Sequence, residues 1–527
     1  MKTLNDLLNA AKAQSPGKTA YITPSRRMTF GELHDHVAKI ASGLRRDGVR
    51  ERDCVAIVLR NGVEFITGYL ALARIGAVAV PINFMVQVPD ELAYMLNDCK
   101  AVGVVTQGEF LPGLRKAIRA TPSVRRLWVT DAAPSECRGI EKPFHALLSD
   151  EVSPPATAGG EDTAAILYTS GTTGQPKGVM LTHRNLVTNA ISSVDIFRLN
   201  SDDSNLCVLP MFHSFAWTGC VLVSLALRAT LVIAPSIVPA APWLKMMGRH
   251  GVTVMAAVPQ LYAVLAKEAR GLKRLIMKYI FFRRVRIAIS GAAPLSASVA
   301  RAFEESFGVP ICEGYGLTET SPVATANTPW ARRLGSVGKA IPGVAVKIID
   351  DDERVLDQGR EGEICVKGDN VMKGYYNMPE ATREIFTRDG WLKTGDIGVL
   401  DAEGFVYIRD RKKDMIIVKG LKVFSAQVEA KLLEHPAVAE AAIIGVPDEH
   451  GDEMIKAFVV LQPGARAGGA GAEASDLAKH CRERIDAYKR PRAIEIVESL
   501  PKNALQKVLK RELRRLELEK RQGLAPP

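Results

Sequence analysis

The eleven residues Tyr168-Thr169-Ser170-Gly171-Thr172-Thr173-Gly174-Gln175-Pro176-Lys177-Gly178 gather the side chains of this chain best suited to chemistry. Glycine lets successive backbone N–H groups turn toward one point at little steric cost, and such a concavity binds anions. The hydroxyls of Thr169, Ser170, Thr172 and Thr173 add donors, and Lys177 adds a mobile positive charge. The string reads as a loop that holds a polyphosphate. It is not a Walker A loop, because Pro176 separates glycine from lysine and no Ser or Thr follows Lys177. A second string, Glu313-Gly314-Tyr315-Gly316-Leu317-Thr318-Glu319-Thr320, exposes a ring, a hydroxyl and a carboxylate within a few residues. Thr318 can donate to a phosphate there, and Glu319 can hold the magnesium ion that neutralises it.

Weaker signals recur along the chain. Ser290-Gly291-Ala292-Ala293-Pro294 ends an apolar strand, and small residues at the carboxyl end of a parallel strand admit a flat ligand. Pro210-Met211-Phe212-His213-Ser214 closes another strand, although a lone histidine beside phenylalanine is more often a core residue. Thr394-Gly395-Asp396 supplies a carboxylate after a glycine turn, where aspartate is usually a cap or an Asx turn. Arg411-Lys412-Lys413 and Leu500-Pro501-Lys502-Asn503-Ala504-Leu505-Gln506-Lys507 are basic runs of the kind that usually only meet solvent.

Taken in order, these strings resemble the signatures of the adenylate-forming superfamily: acyl-CoA synthetases, adenylation domains of peptide synthetases and beetle luciferases. The resemblance runs from the first helix to Lys507. It implies that the 169–177 loop, with Gly171 and Gly174, binds the triphosphate of ATP. Gly291, Ala292 and Ala293 would form an adenine platform with Tyr315 on the opposite face, beside Glu313, Gly314 and Gly316. His213 would line the carboxylate site and shift when ATP binds. Asp396 would take the ribose hydroxyls with help from Arg411, Lys413 would be the hinge, and Lys507 would bridge the acyl carboxylate and ATP. Gly420, Leu421 and Lys422 would face coenzyme A. Two departures from the family pattern stand out: Gln506 replaces the glycine before the lysine, and Ser425 occupies a position where proline is frequent.

Elements must position these residues. Apolar 164–167 reads as a buried strand leading into the Gly-rich loop. Thr29 with Glu32 forms a capping box opening a helix to about residue 44. Strand 55–59, helix 63–75 and strand 77–80 follow. Beyond the loop come strand 205–209, helix 217–227 and strands 230–234, 252–257 and 285–290. Such alternation implies parallel sheets covered by helices. After about residue 335 short strands (344–349, 362–367, 405–408) suggest a smaller β-rich lobe completing the large domain. A turn-like basic run over 409–414 then leads to helix 426–433, strands 438–446 and 455–461, and a helix over about 475–485. The expected organisation is α/β: an N-terminal adenylation domain over 1–410, a hinge at 411–413 and a small mobile α+β domain over 414–527. The Gly/Ala-rich 464–471 reads as a solvent loop.

Composition narrows the classes. The chain has 527 residues, 47% hydrophobic and 24% charged, enough for more than one core. Eight scattered cysteines without CxxC spacing indicate neither a zinc site nor a disulfide framework, and suggest reduced thiols of a cytoplasmic protein. No secretory signal is legible at the N-terminus, and the apolar run 220–235 is too short to span a bilayer, leaving peripheral membrane contact open. A net charge of +11 fits polyanionic ATP and coenzyme A, and no nucleic-acid module is legible.

The expected reaction joins a small-molecule carboxylic acid, ATP and coenzyme A into acyl-CoA, AMP and pyrophosphate through an acyl-adenylate, with Mg²⁺ as activator. The expected acyl wall, Phe215, Trp217, Val221, Val258 and Leu261, is apolar with no cation for a second carboxylate. That favours a medium- or long-chain fatty acid, with a coumarate-type aromatic acid as the alternative. Loading of a carrier protein would give pyrophosphate exchange without free acyl-CoA, and no inserted carrier-loading segment is seen. A luciferase-like oxygenase would share the adenylation residues, whereas a non-catalytic nucleotide binder would not need Lys177, Glu319, Asp396 and Lys507 together.

Overall fold

The structure is a computed structural model that describes residues 1–86, 88–169, 175–418, 421–447, 453–462, 473–502 and 507–521. The chain forms two compact units. The first comprises residues 1–346 and 366–392, and the second 347–365 and 393–527.

The first unit carries two large sheets. One has nine strands and runs Lys339–Ala340, Val323–Ala326, Ile311–Gly316, Ile287–Ser290, Val254–Ala257, Ser204–Cys207, Thr230–Ile233, Thr19–Ile22, Arg27–Thr29. The other has eight: Gly374–Tyr375, Lys177–Thr182, Thr163–Thr169, Val78–Pro81, Cys54–Val58, Gly103–Thr106, Arg126–Val129, Glu141–Pro143. Their central pairings are parallel, as the strand–helix alternation requires. Residues Cys54–Val58 and Val254–Ala257 are buried throughout, the mark of strands covered on both faces. Helix Phe30–Arg46 opens on the expected capping box, with the Thr29 side chain accepting from the Glu32 N–H and Glu32 returning to the Thr29 N–H. A further helix at Leu4–Gln14, capped by Thr3, was not anticipated, nor was strand Thr19–Ile22. Both add buried leucines and tyrosine to the main core.

Helix 217–227 is more irregular than its apolar pattern suggests. A helical turn at Ser214–Ala216 passes into a π-helical segment Trp217–Leu222 and then an α-helix Val223–Leu227, stopped by Arg228 at φ 58°. Such π segments are rare inside helices and recur at functional sites.

The second unit contains most of a four-stranded sheet in the order Val344–Ile349, Gly362–Gly368, Leu392–Leu400, Val406–Arg411, whose first three strands each include one to three residues of the first unit. It also holds the hairpin Ile416–Val418/Leu421–Val423 and the sheet Val438–Pro447, Glu453–Leu461, Ala493–Ile496, with helices Ser425–Leu433, Ala474–Arg484 and Lys510–Arg521. By compactness the β lobe groups with the C-terminal segment in the second unit. The reason is local. Strand Val406–Arg411 runs straight through the first half of the expected basic turn, and buried Asp410 accepts from the Ser425 hydroxyl (2.7 Å) and the Ala426 N–H (3.3 Å). The solvent loop expected over 464–471 lies outside the described residues.

Candidate active site

Strands Thr163–Thr169 and Lys177–Thr182 are antiparallel neighbours, with Thr169 opposite Lys177. The Gly-rich string is therefore the connection between two paired strands of a central sheet. Ser170, Gly171, Thr172, Thr173 and Gly174 lie outside the described residues. The ends of the connection are fixed: Thr169 Oγ1 donates to the Lys177 carbonyl at 3.5 Å. The Tyr94 hydroxyl donates to the Pro176 carbonyl at 3.2 Å.

Lys177 meets a partner that sequence reading missed. Its Nζ lies 5.0 Å from the ring centroid of Tyr375, a cation–π distance. The Tyr375 hydroxyl donates to Glu319 Oε1 at 2.9 Å, and the Met372 N–H donates to the Glu319 carbonyl. Burial and the Glu319 carboxylate raise the Tyr375 hydroxyl pKa, so it remains a donor. Tyr375 comes from the short edge strand beside Lys177–Thr182, with Tyr375 opposite Val179. A Gly-Tyr-Tyr triplet in a polar stretch gave no cue that one of its rings would join the two strongest motifs.

Strand Ile311–Gly316 pairs in parallel with Ile287–Ser290, placing Glu313 opposite Ser290, and antiparallel with Val323–Ala326. A Cβ at Gly316 would overlap the Pro322 carbonyl, so only glycine lets these strands approach. Thr318–Thr320 then form a single 3-10 turn carrying Thr318 and Glu319. Asn370, also unanticipated, braces that turn from its side-chain NH₂, which donates to the Thr320 and Val323 carbonyls at 3.0 Å each.

The loop after Ile287–Ser290 is held by Glu313, whose Oε1 accepts from the Leu295 N–H at 3.0 Å. Burial pushes the Glu313 pKa up to about 7, with that hydrogen bond opposing. Ala292 takes φ 69°, an unusual left-handed conformation for a residue with a Cβ. Phe215 packs against Gly291: a Cβ there would meet the ring at 3.3 Å. His213 caps the turn beginning at Ser214, its Nδ1 accepting from the Phe215 N–H at 3.2 Å. His213, Phe215 and Gly291 are thus neighbours, joining two motifs some eighty residues apart. Trp217 stacks on Tyr69 at 3.9 Å between centroids and lies 5.7 Å from Phe65. Phe215, Trp217, Val221, Val258 and Leu261 are all buried within one apolar cluster. Val221 also lines a small apolar cavity with Tyr21, Phe30 and Leu70.

In the second unit, Asp396 and Arg411 are directly opposite on paired strands, with Arg411 Nε 2.9 Å from Asp396 Oδ1. Gly395 lies within strand Leu392–Leu400 and not in the turn its motif suggested; its φ is 70°, and its N–H donates to Glu363 Oε1 at 3.1 Å. Lys412 pairs with Glu363 (3.0 Å) and Asp351 (2.9 Å). Loss of hydration, then the Arg411 charge, lowers the Lys413 pKa. Lys507 is solvent-exposed over the residue as a whole, yet heavy atoms crowd its ammonium. Loss of hydration pushes its pKa down to about 8, with the Arg411 and Lys413 charges adding and Asp396 opposing. Lys507 therefore lies within electrostatic reach of the Asp396–Arg411 pair. Its neighbours Asn503, Ala504, Leu505 and Gln506, and Gly420, lie outside the described residues; Leu421 and Lys422 sit exposed on a hairpin strand, Lys422 3.9 Å from Asp351.

Ser425 is fully buried. Its hydroxyl donates to Asp410 and accepts from Lys510 Nζ (2.7 Å), which also pairs with Glu429 at 2.6 Å. A hydrogen-bonded serine thus replaces the rigidity expected of proline.

The Glu319 carboxylate has the chemistry of a magnesium ligand. Mg²⁺ is commonly held by one or two carboxylates with substrate phosphate and water completing its shell. Among the described residues there is no group of three or more His, Cys, Asp or Glu that could hold a metal ion.

The family model for AMP-binding enzymes matches residues 8–376, and that for their C-terminal domain matches residues 427–507. The chain is 32% identical to a long-chain-fatty-acid–CoA ligase of Bacillus subtilis (strain 168), over 98% of this chain and 95% of the relative. It is 33% identical to 4-coumarate–CoA ligase 2 of Solanum tuberosum, over 93% and 89%. Among solved structures, the anthranilate CoA ligase AuaEII in complex with anthranoyl-AMP superposes with a TM-score of 0.87 at 29% identity, covering 97% of this chain and 96% of that one. This chain belongs to the AMP-binding enzyme family and is an acid–thiol ligase of the CoA-ligase type.

Proposed function

We propose that the protein makes acyl-CoA from a medium- or long-chain fatty acid in two half-reactions. The observation that carries the choice of acid is the wall Phe215, Trp217, Val221, Val258 and Leu261: every member is buried, every member is apolar, and Phe215 adjoins both His213 and Gly291. Each buried methylene of an acyl chain would gain about 0.8 kcal/mol there, whereas a second carboxylate would lose its hydration without a partner. The likeness to a fatty-acid ligase supports the same choice.

In the first half-reaction a carboxylate oxygen attacks the α-phosphorus of ATP and pyrophosphate leaves. Negative charge grows on the phosphoryl oxygens, so positioned cations and donors lower the barrier. Lys177, Thr318 and the 169–174 hydroxyls and amides act on the triphosphate; Lys507 bridges the acid and the α-phosphate. Asp396, aligned by Arg411, accepts from the ribose hydroxyls, and the adenine lies between the 291–293 segment and Tyr315. Magnesium bound with the nucleotide would be held by Glu319 and supplies charge neutralisation on the phosphates. In the second half-reaction, the segment beyond Lys413 turns, withdrawing Lys507 and bringing 420–422 toward coenzyme A. The thiol then attacks the acyl carbonyl and AMP leaves.

An aromatic acid is the second reading, favoured by the likeness to 4-coumarate ligases. Pyrophosphate release across a panel of aliphatic and aromatic acids, with and without CoA, separates them. Alkyl acids should give the highest kcat/KM, rising with chain length and yielding free thioester when CoA is present. A preference for hydroxycinnamic acids would replace the fatty-acid reading, and pyrophosphate without thioester would shift the acceptor to a carrier protein.

A further inference from the structure

One surface of the first unit is built unlike the rest. After helix Pro259–Glu268 the chain forms a short helical segment, Gly271–Ile276 continued by Met277–Phe281. Its large apolar residues recur at i, i+3, i+4, i+7 and i+8, the spacing that normally faces a core. Here they face outward: Leu272 is 72% exposed, Leu275 50%, Ile276 40%, Tyr279 65% and Ile280 52%. Buried Met277 and Phe282 anchor the segment from beneath, and the Arg274 guanidinium donates to the Glu305 carbonyl at 2.7 Å. In the preceding helix, Val264 adds a further side chain at 52% exposure.

The charges around this stripe have one sign. Residues 264–284 contain the cations Lys267, Arg270, Lys273, Arg274, Lys278, Arg283 and Arg284 against the single anion Glu268, itself paired with Lys273. A second copy of the same surface would set cation against cation. An apolar stripe within a basic field fits a sheet of acyl chains beneath anionic headgroups, with lysine and arginine stems reaching up to the phosphates. We infer that the segment 271–281 is a docking surface for an anionic lipid bilayer, lying in the interface plane. No helix among the described residues is long and apolar enough to cross a membrane, so this contact would be peripheral. Helix Pro259–Glu268 begins beside Val258 and Leu261 of the proposed acyl wall, so the bilayer is also a source of the acid. That last clause rests on the proposed function; the docking itself does not.

Vesicle flotation with the full chain tests the inference. The protein should float with vesicles of phosphatidylglycerol and phosphatidylcholine, less with phosphatidylcholine alone, and less again at high salt. The double substitution L275E/Y279E should weaken binding about tenfold or more, since it sets two charges in the apolar stripe. V355E, at another exposed apolar residue, should bind as the parent does. An unchanged Tm would show that both variants fold. Absence of flotation by the parent, or equal flotation of L275E/Y279E, overturns the inference. So does self-association without vesicles that L275E/Y279E abolishes, which would assign the stripe to a second copy. Pyrophosphate release in vesicle-free buffer reports on the proposed reaction separately, so failure of one reading leaves the other measurable.

Discussion

Lys507 illustrates how far a single residue can be argued. Its type and its order after the other motifs were legible, but its electrostatic surroundings were not. With its pKa pushed down to about 8, the ammonium is present below that pH and is lost as pH rises through it. For adenylate formation, kcat/KM should therefore show a descending limb near pH 8, and the limb in kcat should lie higher because bound triphosphate restores the charge. Replacement by alanine should slow adenylate formation about 10²- to 10³-fold and remove that limb, while thioester formation from synthetic acyl-adenylate stays nearly normal. Equal loss of both half-reactions would refute the assignment. Glu319, Asp396 and Lys177 were likewise legible because their motifs are strings. Tyr375 and Asn370 were not, because each acts through partners more than forty residues distant, and a single sequence carries no sign of such pairing.

At the scale of elements, alternation of apolar runs with amphipathic ones located the central strands to within about two residues. What it missed has physical causes. The basic character of 409–414 argued for a turn, but residues 409–411 belong to a paired strand in which Asp410 is buried and Arg409 and Arg411 are half-buried. The π-helical segment beside Trp217 leaves no trace in hydrophobic spacing. The hinge can be tested at this scale. Lys413 follows the last strand pairing, and the Asp414 and Met415 N–H groups both return to the Arg411 carbonyl. Lys413→Pro fixes φ at the proposed pivot and should lower the thioester half-reaction about a hundredfold while sparing adenylate formation within about threefold. Rapid-quench assays of each half-reaction decide it, and normal rates for both would place the pivot elsewhere.

For the whole molecule, the α/β class followed from the strand–helix rhythm and the ordered motifs, whereas the grouping of residues into compact units did not. Unit boundaries depend on long-range contacts such as Asp410 with Ser425, which a linear reading cannot weigh. The cysteines behave as composition suggested: all eight are free thiols, seven of them buried. Magnesium is proposed to arrive with the nucleotide and to act on its phosphates. Chelation by EDTA should accordingly abolish pyrophosphate release yet shift Tm by less than about 1 °C. A larger fall in Tm would reveal a structural metal.

The ring of Tyr375 has a role of its own in this molecule. Lysine and carboxylate left to themselves tend to collapse into a mutual pair, and an incoming triphosphate would first have to pull them apart. One aromatic side chain instead occupies both, offering its face to the cation and its hydroxyl to the anion. Each opposite charge stays anchored, neither is spent on the other, and the nucleotide meets both through one shared ring.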